Sequence, residues 1–165
     1  MFSQSITSCN APKALGPYSP AIKLGDFVYC SGQLPLDVVS GELVVGGIKE
    51  QTQQVLKNLE AILMEMGLNM QHVVKTTVFM TDLNEFDDMN EVYGQFFAQP
   101  YPARSTVQVA VLPKKAKIEI ECLVIDTLAY EQQMQQGCGG CANHSEQCEG
   151  SCGSDEGCGC DCSQK

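Results

Sequence analysis

Arginine occurs once in the 165 residues, at Arg104, and histidine only twice, at His72 and His144. So little cationic and imidazole chemistry argues against two broad classes. A nucleic-acid surface needs clustered lysine and arginine to neutralise phosphates, and the nearest approach is Lys114, Lys115 and Lys117 in one short stretch, which reads as a solvated turn. A phosphodiesterase would have to be built from two histidines and one arginine. Acidic residues outnumber basic ones 20 to 10; residues 137–165 hold five acids against Lys165 alone, which divides the formal charge of −10 into −4 for that tail and −6 for the body. Long apolar runs are missing too. No stretch approaches the roughly 18 to 20 apolar residues of a membrane span, and residues 1–10 have neither the basic flank nor the apolar centre of a leader peptide. The expectation is a cytoplasmic protein with no membrane or nucleic-acid partner.

Cysteine is abundant, but seven of the ten lie beyond residue 137. Cys9, Cys30 and Cys122 are left for the body, an odd number without paired spacing, and they read as reduced small hydrophobes. This change of composition divides the chain into a domain, residues 1–130, and a Cys- and Gly-rich acidic tail, residues 131–165. A domain of that size leaves much of its surface in water unless other subunits cover it.

Two short strands are expected at 21–24 and 27–31, linked by Gly25-Asp26 as a hairpin. Over 47–66, Ile48, Thr52, Val55, Leu59, Ile62 and Met66 recur at three and four residues, which predicts an amphipathic helix closed by Gly67. The β-branched run 73–80 reads as a strand. A second helix follows, with Asn84 as its N-cap and Phe86, Met89, Tyr93, Phe96 and Phe97 on its apolar face, until Pro100-Tyr101-Pro102 stops it. Strands at 106–111 and 117–125 complete the body, and a short strand at 42–45 is an optional addition. This order implies an α+β fold in which a mixed sheet carries both helices on one face. Its second face then calls for another subunit.

Arg104 falls between the helix-stopping prolines and a strand. Its fork of donors matches a carboxylate in a way that lysine does not reproduce. A structural ion pair with Glu119 or Glu121 is the competing reading, and composition alone does not choose between them. The run Pro102-Ala103-Arg104-Ser105-Thr106-Val107-Gln108-Val109-Ala110, followed by Ile118-Glu119-Ile120-Glu121, resembles the signature of the Rid (YjgF-type) family. Gly16-Pro17-Tyr18-Ser19, Ser31-Gly32-Gln33, Val74-Lys75-Thr76-Thr77-Val78-Phe79, and Asn90 with Tyr93 and Phe96-Phe97 fall in that family's order. The likeness covers residues 10 to 126.

The resemblance implies a chorismate-mutase-like fold assembled as a homotrimer, with clefts between neighbouring subunits. It implies hydrolysis of 2-aminoacrylate and related 2-imino or enamino acids to a 2-keto acid and ammonia, with no cofactor for catalysis. Arg104 would grip the substrate carboxylate. Glu119 would handle the water, with Glu121 as the other candidate. Tyr18 would close the cleft, unless it is a plain packing residue. Ser31 and Gly32 would line the pocket through backbone groups, Asn90 would reach towards it, and Thr106 stands where several relatives carry cysteine. A non-catalytic carboxylate-binding or chaperone-like trimer is the alternative function, and a ribonuclease a weaker one.

The tail is not implied by the resemblance. It reads Cys138-Gly-Gly-Cys141, then His144, Cys148, Cys152 and Cys158-Gly-Cys160-Asp-Cys162, with glycine, serine and acids between. Such a segment has almost nothing to form a core and is expected to be flexible or ordered by an ion. Thiolates at these spacings chelate soft ions such as zinc or copper(I), and seven of them fit a loose cluster resembling metallothionein better than a zinc finger. A labile thiol or disulfide segment, or a passive tail, are the other readings.

Overall fold

In the computed structural model, which describes residues 3–137, a six-stranded sheet carries helices on one face. The strands are β1 (Ser3–Ile6), β2 (Ala21–Leu24), β3 (Phe27–Gln33), β4 (Val73–Met80), β5 (Ala103–Gln108) and β6 (Ile118–Ile125). Their spatial order is β1-β2-β3-β6-β4-β5. All pairs are antiparallel except β4 with β5. That parallel pair needs a crossover, which α2 (Phe86–Phe96) supplies. The other helices are α1 (Ile48–Met64) and α3 (Leu128–Gly137). None of the described helices is long and apolar enough to cross a membrane.

The apolar stripe of α1 meets the sheet as its spacing requires. Val55, Leu56, Leu59, Ile62 and Leu63 are fully buried with Val28, Val78, Met80, Ile118, Ile120 and Val124. The glutamate at the start of α1 accepts the Gly47 N–H through Glu50 Oε2 at 2.7 Å, and Gly67 leaves the helix end at φ +72°. Two buried polar side chains of α1 tie down the loops beside it. Asn58 Nδ2 donates to the carbonyls of Leu34 and Leu36, both at 3.0 Å. Gln51 Oε1 accepts the Lys117 N–H at 2.8 Å. These bonds fix the chain just after β3 and just before β6.

Several expectations need correction. Among the described residues the helices number three rather than two, the third being α3. Leu128 of α3 packs on the core, Tyr130 Oη donates to Asp26 Oδ2 at 2.9 Å, and Glu131 Oε1 lies 3.4 Å from His72 Nε2. The N-terminal strand β1 was not foreseen. No strand forms at residues 42–45, where a single bridge joins Leu36 and Leu43. Asn84 is not the cap of α2: Asp82 accepts the Asn84 N–H at 2.9 Å and opens a short 3-10 turn, Leu83–Glu85, from which α2 continues. The strand expected at 106–111 begins at Ala103 and ends at Gln108, so Arg104 lies inside β5.

The face of the sheet opposite the helices is open among the described residues. Phe27 and Tyr29 are about half exposed there, at 49% and 54%.

Candidate active site

Side chains of a strand alternate between faces, and residues paired across a sheet share one. This rule orients the candidate residues. Arg104 pairs with Thr76, which pairs with Cys122. Thr76 and Cys122 are buried under the helices, so Arg104 also projects to the helix side. Thr106 pairs with Val78 in the same orientation. Glu119 and Val107 flank Phe79 instead, in a row that faces away from the helices.

On the helix side α2 receives the guanidinium. Arg104 Nη2 donates to Asn90 Oδ1 at 2.8 Å, and its central carbon stands 4.5 Å from the Tyr93 ring centroid and 5.5 Å from that of Phe86. Contacts of this type stabilise a cation by about 0.5–1 kcal/mol where exposed and more where water is excluded. Tyr93 is itself held, since its hydroxyl lies 2.7 Å from Thr76 Oγ1 in a buried hydrogen bond, and burial is the main cause that pushes its phenol up. Asn90, Tyr93, Gly94, Tyr101, Pro102 and Arg104 line a recess of about 310 Å³. Among the described residues Arg104 has no carboxylate within 4 Å, so the structural ion pair with Glu119 or Glu121 is not formed. The fork is positioned but not neutralised.

On the other side Tyr18, Ser31, Gly32 and Glu119 converge, with Leu15, Gly16, Leu34 and Pro113, around a recess of about 320 Å³. The β3–β6 register shifts between Cys30 and Gln33, so Ser31 and Gly32 together stand opposite one residue of β6. Such a bulge releases backbone groups from the ladder and re-aims neighbouring side chains. Ser31 is anchored by its Oγ donating to the Ser19 carbonyl at 2.7 Å, and Tyr18 Oη accepts the Leu15 N–H at 3.3 Å. Glu119 lies directly over Gly32: a Cβ there would meet Glu119 Oε1 at 1.9 Å and Cδ at 2.8 Å. Desolvation, followed by the charge of Glu121, raises the Glu119 carboxyl above the ordinary glutamate value. Glu121 is exposed and lines a different recess on the open face, of about 480 Å³, with Tyr29, Lys75 and Thr77.

The candidates therefore form two groups. Arg104 and Asn90 come together, with Thr106 two residues along the same face; Tyr18, Ser31, Gly32 and Glu119 come together; the two groups lie on opposite faces of the sheet. Thr76 and Tyr93 were missed as site residues. In sequence Tyr93 reads as part of the apolar face of its helix, yet its position three residues after Asn90 places both on one side of α2, and that spacing is the signal the sequence offers. Cys30 and Cys122 are buried and free, Cys9 is exposed and free, and among the described residues no three His, Cys, Asp or Glu side chains are placed to hold a metal ion. The seven cysteines assigned to metal, from Cys138 to Cys162, lie outside the described residues.

Fold and site together define a small α+β domain with a recess lined by its arginine and a separate recess lined by Glu119. The chain belongs to the Endoribonuclease L-PSP family, the Rid/YjgF group, whose family model matches residues 8–126. It is 47% identical over 120 residues to the human 2-iminobutanoate/2-iminopropanoate deaminase, covering 73% of this chain and 88% of that protein. It is 49% identical over 123 residues to a RutC family protein of Pyrococcus abyssi, covering 74% and 97%. The crystal structure of E. coli TdcF with bound serine superposes with a TM-score of 0.71 at 44% identity, covering 74% of this chain and 98% of that one.

Proposed function

We propose that the chain hydrolyses reactive 2-imino and enamino acids, such as 2-iminopropanoate and its tautomer 2-aminoacrylate, to 2-keto acids and ammonia. The observation that carries this reading is the Arg104 guanidinium, stacked on Tyr93 and held by Asn90 with no acidic partner among the described residues. It suits a small carboxylate, as in the 2-imino acids for which the human relative is named. An amino acid, which also carries a carboxylate, is bound in the TdcF structure.

The two half-sites become one site if copies of the chain assemble so that the Glu119 recess of one copy faces the Arg104 pocket of the next. A homotrimer with three such clefts would also cover the open sheet face bearing Phe27 and Tyr29. In that cleft Arg104 fixes the substrate by its carboxylate. Glu119 takes a proton from water as the oxygen attacks C2, and the C=N bond becomes a C–N single bond. Glu119 returns that proton to nitrogen, giving a carbinolamine, and then relays the hydroxyl proton to the same nitrogen, so that the C–N bond breaks and ammonia leaves as C2=O forms. A carboxyl with a raised pKa suits this alternation of base and acid near neutral pH. Tyr18 closes the recess, the Ser31–Gly32 bulge lines it, and Thr106 contributes through its backbone. The reaction needs no metal or organic cofactor. The acidic chain with its single arginine offers little to a phosphate polymer, and His72, 7% exposed at its side chain and packed against Glu131, is badly placed for phosphodiester cleavage. Buried free thiols at Cys30 and Cys122 accord with a cytoplasmic location.

The test mixes the protein with 2-aminoacrylate generated in situ by a pyridoxal-phosphate dehydratase and follows pyruvate release beside Arg104→Ala. Accelerated release that depends on Arg104 is the expected result. Binding of small carboxylates without acceleration would leave the non-catalytic carboxylate-binding reading in its place.

A further inference from the structure

Seven cysteines between residues 138 and 162 take no part in the deaminase reading. The family match ends at residue 126. The Pyrococcus protein and E. coli TdcF are matched over 97% and 98% of their own lengths, so this extra length has essentially no counterpart in them. Its cysteines also differ in kind from those of the domain. Cys30 and Cys122 sit in the core, where their mutual contact and burial push the Cys122 thiol up, conditions that disfavour a metal-binding thiolate. Beyond residue 137 Ala142 is the only apolar residue other than cysteine, so hydrophobic burial does not account for seven thiols there. Seven is an odd number, so pairing among the tail cysteines alone leaves one over.

We infer that residues 138–162 form a thiolate metal centre, independent of the deaminase site, which takes about two zinc ions or an equivalent load of another soft d10 cation such as copper(I). Cys138 and Cys141 are spaced as Cys-x-x-Cys, and Cys158, Cys160 and Cys162 as two overlapping Cys-x-Cys pairs, so sulfurs close in sequence share an ion through small chelate loops. Two four-coordinate ions that share one bridging sulfur use all seven thiolates. His144 is an eighth donor that would let the two ions bind apart. Each thiol loses its proton as its metal–sulfur bond forms, with no change of oxidation state. The five neighbouring carboxylates favour the incoming cation. The segment begins directly after α3, which Leu128, Tyr130 and Glu131 fasten to the domain.

The test uses the full-length chain, purified reduced and without chelator, with metal content measured by mass spectrometry and zinc or copper(I) titrated against a competing chelator. About two zinc ions per chain, proton release on binding, and thiolate-to-metal charge-transfer bands with cobalt(II) are expected. Uptake of copper(I) alone would support the centre and select the ion. The full chain with all seven tail cysteines changed to serine should lose metal and keep its pyruvate-forming rate and melting temperature, while Cys9→Ser should keep both metal and rate. Less than about one equivalent of either metal on a fully reduced chain, or equal loading of the seven-serine variant, would overturn the inference. Because metal is read without substrate, this outcome is independent of the deaminase assay.

Discussion

Replacing Gly32 by alanine should separate the stability of this fold from its chemistry. The backbone of Gly32 lies outside the positive-φ region that favours glycine, so alanine fits without strain. It also removes freedom from the unfolded chain, a gain of about 0.4–1 kcal/mol. The obstacle is the Glu119 side chain, whose Oε1 would stand 1.9 Å from the new methyl carbon. Being the far end of a flexible side chain, the carboxyl swings away at little cost to packing. Catalysis tolerates such movement poorly, since a displacement of about 1 Å from a productive position costs on the order of 100-fold, or about 2.7 kcal/mol of barrier. Steady-state pyruvate formation on in-situ 2-aminoacrylate should show kcat lowered by that order, with a melting temperature equal to or above wild type. Adding Glu119→Gln should cost little more, because both changes remove the same group. A Gly32→Ala chain with unaltered kcat would refute the placement of Glu119, and full additivity of the two changes would refute their connection.

Arg104→Ala forfeits two charge-assisted hydrogen bonds, each about 1.5–3 kcal/mol, so kcat/KM should fall about 100-fold or more, and Arg104→Lys should recover little of it. The raised Glu119 carboxyl places the acidic limb of the kcat/KM profile above the ordinary glutamate range; Glu121→Gln removes the second cause of that shift and should move the limb to lower pH while activity persists. The same shift has a stability consequence. The folded state favours protonated Glu119, so the stability tied to its proton is present in acid and lost as pH rises through the raised value. Glu119→Gln should therefore melt higher than wild type near neutral pH, and the difference should shrink on acidification. Tyr93→Phe keeps the ring under Arg104 and strands Thr76 Oγ1, costing about 1 to 3 kcal/mol in denaturant unfolding, whereas Tyr93→Leu should in addition raise KM.

The strongly patterned elements were legible in sequence. The strand Val73–Met80 and the apolar stripe of Ile48–Met64 emerged as read, because each buries one face continuously against the core. Ser3–Ile6 carries no such pattern, being a polar edge strand with three exposed residues of four. Leu128–Gly137 is attached through a few side chains and so lacks a helical apolar stripe. Asn84 lost the capping role to Asp82 because both have suitable side chains and tertiary packing sets where the turn begins. Arg104 and Glu119 stand out in the sequence as candidates, but their separation does not. Which face a strand residue occupies depends on register, and the register of Ala103–Gln108 follows from its parallel pairing with β4.

That separation makes an intersubunit site testable by mixing inactive chains. Arg104→Ala and Glu119→Gln chains, unfolded and refolded together in equal amounts, should regain activity at about a quarter of the wild-type sites, since each cleft draws the arginine from one copy and the glutamate from its neighbour. Refolded mixtures no more active than either parent, with mixed oligomers verified by mass, would contradict the shared cleft.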